Sequence, residues 1–316
     1  MYSWIYRTHV PRNFGPGQRG CTMLIRHLDF FVTLAEEQHF GRAAELCGVS
    51  QPALSLAIRK LEEDLGATLV LRGKRFMGLT AEGQKALVWG RQILADYGHL
   101  RDDLVGRRKG GLTGRLRLGV IAPAMPLVPL ISARFEARNP MARIAIRLMS
   151  PPDIATAIRQ FDLDGGLTWL EGRAPANSFA QPLWSERALF ACRKDHPFAP
   201  DPSVPWRDAV TQPLCVAEGA IAAYLETRHI RPAITCTSLD GVLAHLRAGF
   251  WCGIVPSGFR ALLAPGDEVV LRELDDGGPG MQLGATLMKR DPQSPMVQAL
   301  QDCIASLTQD GSLTPP

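Results

Sequence analysis

The sequence predicts an α+β chain of several domains: a small helical domain closed by a short wing, one long linking helix, and a larger region of alternating strands and helices. Three observations predict it. Apolar residues recur at helical spacing through residues 24–65, and two short strand-like runs flank Arg72-Gly73-Lys74-Arg75. A helical pattern then runs unbroken from Thr80 to about Arg108. Beyond Gly114 strands and helices alternate, which predicts an α/β region with mostly parallel sheets. A length of 316 residues fits two or three domains at roughly 100–200 residues each.

The elements follow in order. Leu28, Phe31, Val32, Leu34 and Ala35 give a first helix from about Arg26 to Gln38, broken by Phe40-Gly41. A short helix covers Arg42 to Cys47, and Gly48 ends it as a left-handed cap. Ser50 is the N-cap of a third helix, Gln51 to Leu65, with Pro52 in its first turn, where a missing N–H costs nothing. Leu54, Ile58, Leu61 and Leu65 form its apolar stripe, and Gly66 caps it. Leu69–Leu71 and Phe76–Leu79 are the two wing strands. On the long helix, Ala86, Gly90, Ile93, Tyr97, Leu100 and Leu104 alternate at spacings of four and three, a coiled-coil seam. At 1.5 Å per residue that helix is roughly 40 Å long, more than one small domain covers. Further strands are expected at 116–120, 144–148, 163–167, 188–193, 214–217, 253–255, 269–274 and 283–288, with helices at 127–138, 154–161, 239–248 and 295–307.

Composition excludes several classes. Hydrophobic residues make up 46% and charged residues 21%, an ordinary globular balance. The longest apolar stretch, Val120 to Ile131, holds three prolines and falls short of the roughly 20 residues of a membrane span. Cysteines at 21, 47, 192, 215, 236, 252 and 303 are odd in number and form no CxxC, against a thiolate zinc knuckle or a disulfide framework and in favour of a reducing cytoplasm. Histidines 27, 39, 99, 196, 229 and 245 fall in no metal spacing, so no metal site and no cofactor are expected. Residues 1–22 lack an apolar core for a secretory signal and are expected to be disordered, with Met23 an alternative start.

Residues Arg42 to Leu65 read as helix, tight turn, helix, the geometry that seats a second helix in the DNA major groove. Gln51 can bond adenine in bidentate fashion, and Ser55 lies one turn on. Arg59 and Lys60 reach phosphates from the next turn. Residues 23–83 hold 7 basic and 8 acidic side chains, so placement matters more than total. Arg72, Lys74 and Arg75 form one acid-free edge and Arg59 with Lys60 another, the footprint of a winged helix-turn-helix. A small helical bundle with solvated charges is the competing reading.

The string Val49-Ser50-Gln51-Pro52-Ala53-Leu54-Ser55, followed by Ile58-Arg59, Leu61-Glu62, Leu65-Gly66 and the step Leu79-Thr80-Ala81-Glu82-Gly83, resembles the DNA-binding domain of LysR-type transcriptional regulators. The resemblance implies a winged helix-turn-helix, a long linker helix that pairs subunits, and a two-lobed α/β effector domain like a periplasmic binding protein. By position it implies DNA contacts from Ser50, Gln51, Pro52, Ser55, Leu56, Arg59, Lys60, Arg72, Lys74 and Arg75. Leu56 stands where the family has a polar or basic residue; it either meets a thymine methyl or is simply exposed. Pairing falls to Ile93, Tyr97, Leu100 and Leu104.

Effector contacts carry over to Ala122, Ala124, Met149, Ser150, Glu218 and Gly219. Pro123 and Pro126 remove two N–H groups that would cradle an anion, and Glu218 repels a carboxylate, so the effector expected is polar or weakly charged. Ser150 is either a ligand contact or a helix cap. The boundaries expected are a 1–22 extension, 23–83 DNA-binding, 84–112 linker, and 113–310 effector domain, with lobe I about 113–181 and 276–310 and lobe II about 182–275. Partners implied are promoter DNA, a small effector, a second copy in a homodimer or homotetramer, and RNA polymerase. A solute-binding protein is the alternative that residues 114–310 would suit, and no constellation of catalytic residues supports an enzyme.

Overall fold

The computed structural model describes residues 21–72, 75–170, 174–275 and 278–312, and the chain divides into two compact units, residues 1–110 and 111–316. Of the expected 1–22 extension, residues 1–20 lie outside the described part, but Cys21 and Thr22 already open a helix. That helix starts earlier than its apolar stripe because Met23, Leu24 and Ile25 are helix-compatible and nothing intervenes to break it.

The first unit packs α1 (Cys21–Glu37), α2 (Phe40–Cys47) and α3 (Gln51–Leu65) around Phe31, Leu34, Leu54, Ile58 and Leu61. The break between α1 and α2 lies at Gln38, in the left-handed region at φ 52°, and not at Phe40-Gly41. His39 makes this possible: its Nδ1 accepts from the N–H groups of Gly41 (3.1 Å) and Arg42 (3.2 Å), so an imidazole serves as N-cap and Phe40 is helical. Ser50 caps α3 as expected, accepting from Ala53 N, and Gly48 and Gly66 close α2 and α3 with φ near 65°.

The wing is β1 (Val70–Arg72) paired antiparallel with β2 (Phe76–Leu79). Glu62 of α3 holds it, one carboxylate oxygen accepting from the N–H groups of Leu69 (2.8 Å) and Val70 (3.1 Å). Then α4 (Ala81–Lys109) begins on top of the wing backbone. Thr80 N donates to Leu69 O (3.0 Å), its hydroxyl donates to Thr68 O (2.6 Å) and accepts from Gly83 N (2.9 Å). A Cβ at Gly83 would lie 2.0 Å from Leu69 O, so only glycine permits this approach. At the far end Arg107, Arg108 and Lys109 sit at the negative end of the helix before Gly110 caps it.

The second unit contains two lobes. The first is a five-stranded sheet in the order β4-β3-β5-β13-β6, built from β3 (Gly114–Val120), β4 (Ala142–Leu148), β5 (Gly165–Trp169), β6 (Ser178–Glu186) and β13 (Met281–Met288). It packs with α5 (Val128–Arg138), α6 (Pro151–Arg159) and α10 (Pro295–Gln309). The second is the sheet β11-β7-β12-β8, formed by β7 (Ala188–Arg193), β8 (Ser203–Pro205), β11 (Gly253–Pro256) and β12 (Val269–Asp275). Beside it lie the parallel pair β9 (Cys215–Ala217) and β10 (Ile234–Cys236), with α7 (Trp206–Ala209), α8 (Ala220–Thr227) and α9 (Leu239–Ala248). Along β7, Phe190 and Cys192 enter one core while Leu189 and Ala191 enter the other, the period of two expected of a strand covered on both faces.

Two expectations are corrected. The sheets are mixed and not mostly parallel: β3 runs parallel to β4 and β5, but β13 is antiparallel to β5 and β6, and β7 antiparallel to β11 and β12. β6, at the edge of the first sheet, passes into β7 of the second sheet through the single residue Arg187. The first crossing therefore follows Glu186 and not the expected boundary between 181 and 182. Pro182 does not end β6, because β6 is an edge strand and its register shifts beside Gly284, where a missing N–H breaks no ladder.

A buried ion pair ties the first sheet. Asp164 is fully buried and takes Arg117 in bidentate fashion (2.7 and 3.1 Å) together with the Arg117 N–H (2.8 Å). Asp164→Ala should destabilise this unit by about 3 kcal/mol, because the guanidinium loses its buried partner. Urea unfolding should show the shift, and an unchanged midpoint would contradict it. In the first unit, burial holds the Asp29 carboxyl up at about 6, against the pull of Arg26. An unfolded Asp titrates near about 3.9, so the folded state binds this proton more tightly. Stability is thus lost as pH rises from about 4 to about 6, and the loss is complete at neutral pH. Asp29→Asn should match the wild type in thermal melts near pH 4 and exceed it at pH 7.

Candidate nucleic-acid interface and effector cleft

The capped start of α3 presents Gln51, Pro52, Leu56 and Arg59 to solvent, with Ser55 half-buried beside them and Leu54, Ala57, Ile58 and Leu61 inward. Ser50 is exposed, and its hydroxyl caps the helix. Leu56 is 64% exposed on this outer face, a placement that both plain exposure and contact with a thymine methyl require. Lys60 is also outward, but its ammonium lies 3.2 Å from Asp64 and 3.6 Å from Glu63. Those carboxylates, Asp64 first, raise its pKa and reduce the net charge it presents. Arg75 is exposed at the wing; the side chain of Arg72 and all of Lys74 lie outside the described residues.

The seam expected along α4 divides in two. A Cβ at Gly90 would lie 3.3 Å from Val32 and 3.6 Å from Leu28, and Ala86 packs on the same core, so these positions face α1 of their own unit. Ile93, Leu100 and Leu104 are exposed, and Tyr97 is half-buried. Trp89, 63% exposed and one turn before Ile93, extends their stripe. It escaped the sequence reading because it is off the four-three spacing.

The effector positions separate similarly. Ser150 is the N-cap of α6: its hydroxyl donates to the Asp153 carboxylate (2.6 Å) and accepts from the Asp153 N–H (3.3 Å), so a structural role is present whatever else it touches. Ala124 is fully buried inside the 3-10 turn Ala122–Leu127, between Pro123 and Pro126. Ala122 is half-buried against the core of the second lobe, and Met149 is half-buried. Glu218 and Gly219 are exposed between β9 and α8, and the Glu218 N–H donates to Cys236 O (2.8 Å).

One residue at the lobe junction was missed. Glu186, the last of β6, is fully buried and accepts from Trp184 Nε1 (2.5 Å), Ser257 Oγ (2.8 Å) and Gly258 N (2.7 Å). A carboxylate at a strand end reads as exposed; the alternation Trp184-Ser185-Glu186 is the signal that it points inward with the tryptophan. Cys192 and Cys252, buried in the second lobe, are quiet thiols. Burial pushes Cys192 up to about 11 and Cys252 to about 12, so neither is ionised at neutral pH.

Two family models match the sequence: "Bacterial regulatory helix-turn-helix protein, lysR family" over residues 25–84, and "LysR substrate binding domain" over residues 109–309. The HTH-type transcriptional regulator AlsR of Bacillus subtilis (strain 168) is 30% identical over 292 residues, 87% of this chain and 93% of AlsR. The DNA-binding transcriptional dual regulator OxyR of Escherichia coli (strain K12) is 32% identical over 197 residues, 62% of this chain and 64% of OxyR. Among solved structures, a full-length OxyR variant from Pseudomonas aeruginosa superposes with TM-score 0.67 at 25% identity, covering 89% of this chain and 97% of that one. Full-length CbnR complexed with its target DNA shares the fold, with TM-score 0.63 at 20% identity over 89% of this chain and 99% of that one. The two matches together span both units, and the chain belongs to the LysR family of DNA-binding transcriptional regulators, with an N-terminal helix-turn-helix and a C-terminal substrate-binding domain.

Proposed function

We propose that α3 reads DNA through its first turn while the wing grips phosphates, that two copies pair through α4, and that a small effector between the lobes of the second unit sets the transcriptional output. The observation that carries this reading is the exposed, Ser50-capped start of α3 beside the wing. Gln51 would meet a base edge, with Pro52, Ser55 and Leu56 beside it, and Arg59, Arg72, Lys74 and Arg75 would meet phosphates. Lys60, paired with Asp64 and Glu63, would contribute least.

The effector would be small, polar and neutral or weakly charged. Glu218 places an exposed carboxylate at one proposed wall, and Pro123 and Pro126 leave the opposite turn short of free N–H donors. The chain passes between the lobes at Arg187 and again between β12 and β13, so a ligand that binds one lobe arrangement more tightly would shift the balance between arrangements. In this reading the protein catalyses no reaction, works in the cytoplasm as a homodimer or homotetramer, and acts on RNA polymerase at the promoter. Among the described residues no helix is long and apolar enough to cross a membrane.

Band-shift titration against DNA from the upstream region of its own gene, with random duplex as control, tests the reading. Gln51→Ala should lose about 1–3 kcal/mol on the specific site and little on random DNA. Arg72→Ala should weaken both and lower the salt dependence by about one counterion. Equal losses of both variants on both duplexes would refute the division of roles. Ile93→Asp with Leu100→Asp places two charges on the exposed stripe and should give monomers in sedimentation velocity. A double variant that stays fully oligomeric would refute pairing through α4.

A further inference from the structure

The second lobe brings together three side chains that the sequence scatters: Cys215 on β9, Cys236 on β10 and His245 on α9. Their ligand atoms all lie within 4.8 Å of one another. The two sulfurs are 3.7 Å apart, and Cys236 Sγ is 3.9 Å from His245 Nδ1. We propose that Cys215, Cys236 and His245 form a binding site for a thiophilic d10 metal ion, Cu(I) or Zn(II), held by two thiolates and one imidazole.

The spacing is what such an ion needs. Two sulfurs bound at about 2.3 Å with a tetrahedral angle stand about 3.8 Å apart, close to the 3.7 Å separation found here. A disulfide fits the same pair poorly. Cys215 stands opposite Ile234, and Cys236 opposite Ala217, so the two cysteines are offset by two residues across parallel strands. With strands about 4.8 Å apart and a rise of about 3.3 Å per residue, that offset puts the two α-carbons roughly 8 Å apart, outside the usual disulfide span. A metal bridges that offset because it adds two bonds between the sulfurs. Soft thiolate ligands select Cu(I) and Zn(II), and three ligands suffice for Cu(I) or leave one position open on Zn(II).

The surroundings support the cluster. Gly241, in the first turn of α9, would place a Cβ 3.3 Å from Cys236 Cβ and 3.4 Å from its sulfur, so a bare α-carbon there lets the helix lie close over the thiol. The Gly241 carbonyl also lies 2.8 Å from His245 Nδ1 and orients the ring. The nitrogen that faces Cys236 is this same Nδ1, so ligation through Nδ1 replaces the carbonyl contact with the metal bond. Cys215 is buried while Cys236 and His245 are half-buried, so the ion enters from their side. On binding, each S–H gives its proton to solvent as its S–metal bond forms, and no electron changes hands. Cys236 O holds the N–H of Glu218, which couples the ion to the 217–219 loop.

The proposal does not depend on the DNA-binding reading and is tested without DNA. Reduced full-length protein is titrated with Co(II) as a visible stand-in for Zn(II), then with Zn(II) and Cu(I) in competition with chromophoric chelators. One equivalent should bind, with a thiolate-to-Co(II) charge-transfer band. Cys236→Ser should abolish the band and weaken binding by roughly a hundredfold, and His245→Ala by about tenfold. Cys303→Ser, in the other lobe, should bind as the wild type does. Cys236 is half-buried, so its variant is expected to melt cooperatively, which a thermal scan verifies; His245→Ala serves if it does not. Absence of tight binding by the wild type, or undiminished binding by both folded Cys236→Ser and His245→Ala, would overturn the site.

Discussion

Gly83 lets the first turn of α4 rest on the carbonyl of Leu69, and the geometry of the DNA-binding unit hangs on that contact. Thr80 fixes the start of α4 to the same stretch of backbone, and Glu62 fixes that stretch to α3. The helix proposed to read DNA, the wing and the helix proposed to pair subunits are therefore referenced to one short segment, Thr68 to Val70. Local hydrogen bonds do this at little cost in size, which suits a domain whose core is small. An added methyl at residue 83 would separate all three elements at once.

What was legible in the sequence was what is decided locally. Ser50, Pro52 and Gly66 bound α3 to the residue, and Ser238 and Gly249 do the same for α9, because caps act within one turn. The hairpin of the wing was equally plain. The misses are non-local. β8 and β10, three residues each, exist only because partners lie beside them, and β6 continues through Pro182 because it is an edge. His39 as a helix cap and Gln38 in the left-handed region break propensity rules that the surrounding packing overrides. Ala124 sits in a segment with the right order for a ligand loop, yet its side chain faces the core. Cys215, Cys236 and His245 are separated by 20 and 8 intervening residues, and only the parallel register of β9 and β10 with α9 above them brings the ligand atoms together.

Glu186 gives the lobe junction a fixed point. A buried carboxylate with three donors is costly to expose to an apolar gap or to strip of partners, since its charge would remain without compensation. Trp184 comes from the first lobe's sheet, and Ser257 and Gly258 from the second lobe, so the carboxylate bonds to both sides. A wide parting of the lobes would take Ser257 and Gly258 away from the carboxylate.

Strand order also dictates when each part of the chain can finish folding as it leaves the ribosome. The first unit takes every element from residues 21–110 and is complete as soon as they emerge. The second is not. β7 pairs with β11 and β12, and β6 and the second edge of β5 wait for β13, so both sheets are closed by strands made late. Through that interval β7, apolar on both faces, has no partner to cover its edges. Long-range pairing of this kind is slow and prone to association. The nascent regulator thus carries a finished DNA-binding unit on an unfinished second one, and β7 is the apolar segment left longest without its neighbours.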